Sequence, residues 1–148
     1  MTIWRFIAAG FGSGLAPKAP GTFGSLAGII IGCLLLLLGH AALLVGMLVA
    51  TLIGLYAIRQ QPDFTQDPGW IVIDEIAGQM LALLALSRVS FWGALLAFVL
   101  FRLFDILKPG PVGWADKRHD EYGIMGDDLI AGAMAFIILL ALRLVFKL

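Results

Sequence analysis

Five carboxylates stand at or inside the ends of apolar runs in this chain: Asp74, Glu75, Asp105, Asp127 and Asp128. Two long cations, Arg102 and Lys108, share those surroundings. The stretch GFGSGLAPKAPGTFGS, residues 10–25, adds glycines and the hydroxyls of Ser13, Thr22 and Ser25. Clustered oxygen ligands without cysteine or paired histidine suit a hard cation, and Mg²⁺ is the common one that keeps waters and bridges to phosphate. Arginine, lysine and concave runs of backbone N–H groups suit phosphate oxygens. The combination describes phosphoryl chemistry, in which carboxylates hold a metal and the metal polarises the phosphate or activates water.

Each motif also has a plainer reading. In WIVIDEIAGQM, Asp74 and Glu75 interrupt an apolar helix start. A carboxylate deep in a bilayer costs about 2.5–3.5 kcal/mol on insertion scales, so two together call for a cation, a proton or a watery cavity. Gln79 lies one helical turn past Glu75, and Gly78 one turn past Asp74, where it lets another element approach. Alternatively, both acids sit at a helix N-terminus and complement its dipole. In FRLFDILKPGPVGWADKRHDEYGIMGDDLIAG, Arg102 and Asp105 share a helix face and can form a simple ion pair. Pro109 ends that helix, and the long Lys108 side chain can swing back. Asp127 can cap the last apolar helix, but capping accounts for one of the two final aspartates. Asp120 and Glu121 read as solvated loop beside Lys117, Arg118 and His119, with Asp116 between loop and site.

The elements that must position these groups are apolar. The 148 residues are 61% hydrophobic and 14% charged, with mean hydropathy +0.99; a soluble domain has about 45–50% and about 25%. Five apolar blocks stand out: Leu26–Leu38, Ala41–Ile58, Ile71–Leu86, Phe91–Leu107 and Leu129–Phe146. A span needs about 20 residues, so the first and third are marginal and suit tilted or re-entrant segments. The expectation is an all-α integral membrane protein of four to five membrane helices, the first short or re-entrant. Residues 1–148 form one membrane-embedded domain without linker or repeat. The start is too short in its apolar part for a secretory signal peptide. Cys33 is a lone buried small hydrophobe, and His40 a turn residue beside Gly39.

Net charge is zero, but its distribution is uneven: all ten acidic residues lie between Asp63 and Asp128. With the N-terminal loop inside, five crossings place residues 59–70 and 108–126 inside too. Arg5, Lys18, Arg59, Lys108, Lys117 and Arg118 then collect on the inner side, and Arg88, Arg143 and Lys147 on the outer, as the positive-inside rule requires. Trp4, Trp70, Trp92 and Trp114 fall in loops or at segment ends, where indoles prefer to sit. The regions 10–25, 70–79 and 102–128 land on one face and can build one site.

Several enzyme classes are excluded. No Cys-x5-Arg occurs, and a two-histidine phosphatase would need His40, on the other face, beside His119. GxxxxGK[ST] is absent, and Pro17 and Pro20 are expected to stop a helix from following the opening loop directly. The D-x2-D-G-x2-A-R run of CDP-linked lipid transferases is absent as well. Two alternatives stay open: a Mg²⁺-dependent membrane lipid phosphotransferase, and a small non-enzymatic ion carrier.

GFGSGLAPKAPGTFGSL, VIDEIAGQ and the FRLFDILKPGPVGWADKRHDEYGIMGDDLIAG segment together resemble the phosphatidylglycerophosphatase A family. The resemblance implies a multi-pass, Mg²⁺-dependent phosphatase of the bacterial inner membrane, its active site facing the cytoplasm. Its substrate would be phosphatidylglycerophosphate among bilayer lipids, its product phosphatidylglycerol, and no nucleic acid is expected. Asp74 and Glu75 match the family's IDE element, Arg102, Asp105 and Lys108 its FR-x-FD-x-x-KP element, and Asp127 and Asp128 its final DD. Gly12, Ser13, Thr22 and Ser25 fall in its N-terminal loop. On this reading a subset of Asp74, Glu75, Asp105, Asp127 and Asp128 holds Mg²⁺, and a carboxylate left off the metal, Asp74, assists proton transfer. Arg102, Lys108 and donors of the opening loop hold the phosphate, and Lys18 is either a phosphate ligand or a headgroup anchor. The family has a bulky residue within KP-x-P where this chain has Gly110, which points to a looser turn or lipid contact there.

Overall fold

The computed structural model describes residues 1–146, and its regular elements are all helical. A short α1 (Ile3–Ala8) leads through a 3-10 turn (Ser13–Leu15) to α2 (Pro20–Leu38), and α3 (His40–Arg59) returns after Gly39. A second 3-10 turn (Phe64–Gln66) precedes α4 (Ile73–Leu83). The chain continues through α5 (Phe91–Leu107), α6 (Pro111–Asp116) and α7 (Glu121–Phe146). Lys147, set at the outer end by the charge pattern, lies outside the described residues.

The first apolar block is not short. Its helix starts six residues early, because Pro20 opens α2 instead of preventing it. Proline suits the first helical position, where its missing N–H has no partner to lose and its φ is already helical. The end of the opening stretch, PGTFGS, is therefore helix. Ser25 is fully buried, and its hydroxyl donates to the Gly21 carbonyl at 2.9 Å.

The short element is the third. Helix α4 has 11 residues, about 16 Å of rise against a hydrocarbon core of about 30 Å. It is short because the chain on either side finds partners outside the helix. Val72 donates to the Ala8 carbonyl at 2.9 Å. At the other end the Leu86 carbonyl accepts from His40 Nε2 at 2.7 Å, and the Ala85 carbonyl from Arg143 at 3.2 Å. Irregular backbone survives at such a depth only where protein groups satisfy it. Nine of the 11 residues of α4 are buried, enclosed by α2, α3, α5 and α7.

Glycines set the closest approaches to this central helix. Gly24, Gly28 and Gly32 form a stripe along α2, and side chains there would collide with Val72, with Ile76 and Gln79, and with Leu83 in turn. The order shows α2 and α4 running parallel. Small residues every four positions let two helix backbones approach closely in an apolar setting.

The outer surface is apolar. Leu34, Leu37, Leu52, Leu103, Ile106 and Ile137 are exposed on α2, α3, α5 and α7. Helices α2, α3 and α7, of 19, 20 and 26 residues, are long and apolar enough to cross a membrane. One end of the bundle gathers the starts of α2, α4 and α7 with the end of α5, bringing the three chemically rich regions together as parity predicts. The other end holds the contacts of His40 and Arg143 with the Ala85–Leu86 turn.

Candidate active site

Asp74 and Glu75 occupy the first turn of α4. Asp128 faces them from α7, where the Asp128 carbonyl and Phe101 leave room only for a hydrogen at Gly78. One carboxylate oxygen from each of Asp74, Glu75 and Asp128 lies within 4.8 Å of the others. Asp74 and Asp128 are buried, and Asp74 Oδ1, Glu75 Oε2 and Asp128 Oδ1 have no hydrogen-bond partner. Three carboxylates this close repel one another, and unpaired buried charge is strongly unfavourable. The donor set is oxygen alone, which suits a hard divalent cation. Buried Gln79, one turn deeper on α4, likewise leaves both amide atoms unpartnered.

A cationic layer borders this cluster. A Cβ at Gly21, in the first turn of α2, would lie 2.9 Å from Glu75 Oε1 and 3.2 Å from Arg102 Nη1. The N-terminal turn of α2, Glu75 and Arg102 therefore meet at one point. Arg102 is ion-paired with Asp105 on its own helix. Lys108 Nζ lies 3.1 Å from Asp127 Oδ2, 3.3 Å from Asp116 Oδ1 and 3.9 Å from Asp105 Oδ1. Half-burial pulls the Lys108 ammonium down, but Asp127, Asp105 and Asp116 outweigh it and hold it above the usual lysine range. Lys108 stays charged at any working pH.

The backbone explains how Lys108 reaches three acids. It ends α5 in the left-handed region, with φ 49°, which turns the chain sharply and points the stem back under the helix end. Gly110 follows with φ 49° and ψ −111°, a conformation that glycine adopts readily. A side chain there would point into open space. The departure at KP-x-P thus lies in a glycine-permissive turn that touches none of the acids.

Asp127 is not a cap. Helix α7 begins at Glu121, and Asp120 caps it by accepting from Gly123 N at 2.8 Å. Asp120, read as solvated loop, also pairs with Arg118 at 2.7 Å. The Arg118 contact holds its carboxyl below the ordinary aspartate range. Both final aspartates are thereby released from capping and lie within the helix, Asp127 toward Lys108 and Asp128 toward Asp74.

Of the five acids, the structure groups Asp74, Glu75 and Asp128, while Asp105 and Asp127 pair with Arg102 and Lys108. Ser25 points away inside the bundle, and Ser13 donates to the Gly10 carbonyl at 2.8 Å. Thr22 is half-buried beside Gly21, Gly12 precedes the 3-10 turn with φ 96°, and Lys18 is exposed. Asp116 belongs to the Lys108 cluster rather than to a solvated loop. Asp67 went unread in the sequence. It follows the Phe64–Gln66 turn and lines a polar cavity of about 270 Å³ with Asp116, His119 and Asp127. Burial raises its pKa, with Lys108 opposing. The available signal was its place in the 59–70 loop, on the same side as the other acids.

The chain resembles known proteins over most of its length. The profile of the phosphatidylglycerophosphatase A family matches residues 6–143. A protein named phosphatidylglycerophosphatase A from Haemophilus influenzae is 43% identical over 94% of this chain and 88% of its own. The Escherichia coli protein of the same name is 38% identical over 89% and 78%. A Bacteroides thetaiotaomicron protein provisionally named phosphatidylinositol-3-phosphatase is also 38% identical, over 93% and 91%. No solved structure matches significantly.

Proposed function

The chain belongs to the phosphatidylglycerophosphatase A family, and on that premise we propose that it hydrolyses phosphatidylglycerophosphate to phosphatidylglycerol and inorganic phosphate, with Mg²⁺ at Asp74, Glu75 and Asp128. The observation that carries the reading is the set of unpartnered oxygens on these three carboxylates. Bound there, Mg²⁺ supplies Lewis-acid stabilisation of charge on the phosphoryl group.

The protein's own groups do the rest. Arg102 and the N–H of Gly21, which opens toward Glu75 and Arg102 in the first turn of α2, bind the non-bridging phosphate oxygens. Asp105 holds the guanidinium in place, while Lys108 fixes Asp105 and Asp127 and adds positive charge at the mouth. Asp74, through the carboxylate oxygen left off the cation, accepts the proton of the attacking water; the bond from phosphorus to the glycerol oxygen breaks in line, and that proton passes to the departing oxygen. Acyl chains remain against the apolar outer faces of the helices.

This reading places residues 1–148 in the bacterial inner membrane as one multi-pass domain. Helices α2, α3, α5 and α7 span it, and α4 is held inside the bundle. The site end carries Arg5, Lys18, Arg59, Lys108, Lys117 and Arg118 against Arg88 and Arg143 at the other, which supports a cytoplasmic active site.

The test is phosphate release by the full chain in detergent micelles. Activity on phosphatidylglycerophosphate is expected to vanish in EDTA and return on adding Mg²⁺, and to exceed that on phosphatidylinositol-3-phosphate. Equal release with and without chelator would refute the metal assignment. A companion prediction concerns Lys108, which acts by orienting neighbours. Lys108→Met is expected to lower kcat/KM by about a hundredfold, and Lys108→Arg to recover much of it. Normal rates in Lys108→Met would show that the Asp105–Lys108–Asp127 network is structural only.

A further inference from the structure

The end of the bundle away from the carboxylates holds a second feature. A cavity of about 240 Å³ opens between the Ala85–Ser90 turn, the start of α5 and the last turns of α7. Its walls include Leu86, Leu96, Leu139 and Leu142, and its rim carries Arg88 and Arg143. We infer that this cavity binds an anionic phospholipid of the outer leaflet, its phosphate between Arg88 and Arg143 and one acyl chain along the leucine wall.

Charge complementarity selects the occupant. Every acidic residue of the chain lies between Asp63 and Asp128, and those near the bundle ends gather at the other end. Neither Arg88 nor Arg143 has a carboxylate within ion-pair distance among the described residues. Arg143 gives one donor to the Ala85 carbonyl, which fixes the guanidinium at the rim, and a guanidinium has five donors. A soluble anion would gain nothing from the leucine wall, and a neutral lipid nothing from the arginines. Trp92 lines the same cavity and is 76% exposed, beside exposed Phe91. Aromatic residues in that position mark headgroup depth. The site rests on the membrane reading and is independent of the phosphatase assignment.

The test is lipid retention by the full chain in detergent micelles, followed by native mass spectrometry. The probes are phosphatidylserine, phosphatidylcholine and inorganic phosphate; phosphatidylserine is neither substrate nor product of the proposed reaction. Phosphatidylserine is expected to bind more tightly than phosphatidylcholine. Arg88→Gln and Arg143→Gln should each weaken it about fivefold, and the double variant about twenty-five-fold. Phosphate release by Arg88→Gln should be unchanged, which shows that the bundle is intact; Arg143→Gln also removes the donor to the Ala85 carbonyl, so its thermal midpoint is measured beside its lipid retention. Equal retention of both lipids, retention indifferent to the substitutions, or displacement by millimolar inorganic phosphate would overturn the inference. A failed phosphatase assay with charge-selective, arginine-dependent retention would leave it standing.

Discussion

Asp128→Asn is expected to abolish phosphate release while making the metal-free protein more stable. The two effects have one cause. Asp74, Glu75 and Asp128 crowd their oxygens within 4.8 Å, and Asp74 Oδ1, Glu75 Oε2 and Asp128 Oδ1 find no hydrogen bond inside the bundle. A cation offsets that repulsion, and without it the folded state carries the whole penalty. Changing one carboxylate to an amide removes a charge from the cluster, so unfolding in EDTA should shift to higher temperature. The same change removes a cation ligand worth several kcal/mol of transition-state stabilisation, or about 10³-fold in kcat. Glu75→Gln and Asp74→Asn should behave alike. Wild-type protein should gain stability on adding Mg²⁺, and the variants much less. If Asp128→Asn instead unfolded earlier in EDTA and lost activity in proportion, the acids would be structural groups and not a cation site.

The second large effect is expected at Gly132, one helical turn past Asp128 on α7. A Cβ there would run into the carbonyl of Gly78, and one at Gly78 into the carbonyl of Asp128. These are backbone contacts, so no rotamer change relieves them and α4 and α7 must separate. Overpacking of this kind costs about 1–3 kcal/mol or more. Gly132→Leu is therefore expected to lower the thermal midpoint and cut phosphate release more than tenfold, since this crossing sets Asp128 against Asp74. Gly126 supplies the control on the same helix. A side chain at Gly126 meets nothing within 4 Å, and alanine suits a helix interior better by about 0.5–1 kcal/mol. Gly126→Ala should be active and slightly stabilised. Equal behaviour of the two variants would mean that the crossing does not control the site.

Much of the molecule is legible in its residues alone. Composition and block lengths give an all-helical chain with an apolar exterior. Parity gives one end for the three rich regions, because that conclusion depends only on counting crossings. The motifs name Asp74, Glu75, Arg102, Asp105, Lys108, Asp127 and Asp128, since acids and cations in apolar helices are too unfavourable to be accidental. Spacing in the sequence does not say which helix the glycines of α2 face.

The division of labour among the acids was not legible. Nothing in DD says that Asp127 turns to Lys108 and Asp128 to Asp74, because that follows from α7 starting at Glu121 under an Asp120 cap. Nothing in KPGP says that Lys108 adopts a left-handed cap and gathers Asp105, Asp116 and Asp127. Nor does the sequence reveal that Pro20 opens a helix, or that α4 stops after 11 residues because His40 and Arg143 satisfy the chain beyond it. Residue type and local spacing settle which groups are too polar for their surroundings. Partners 19 to 58 positions apart are settled by packing, and packing decides which of those groups crowd their oxygens together and which hold one another in place.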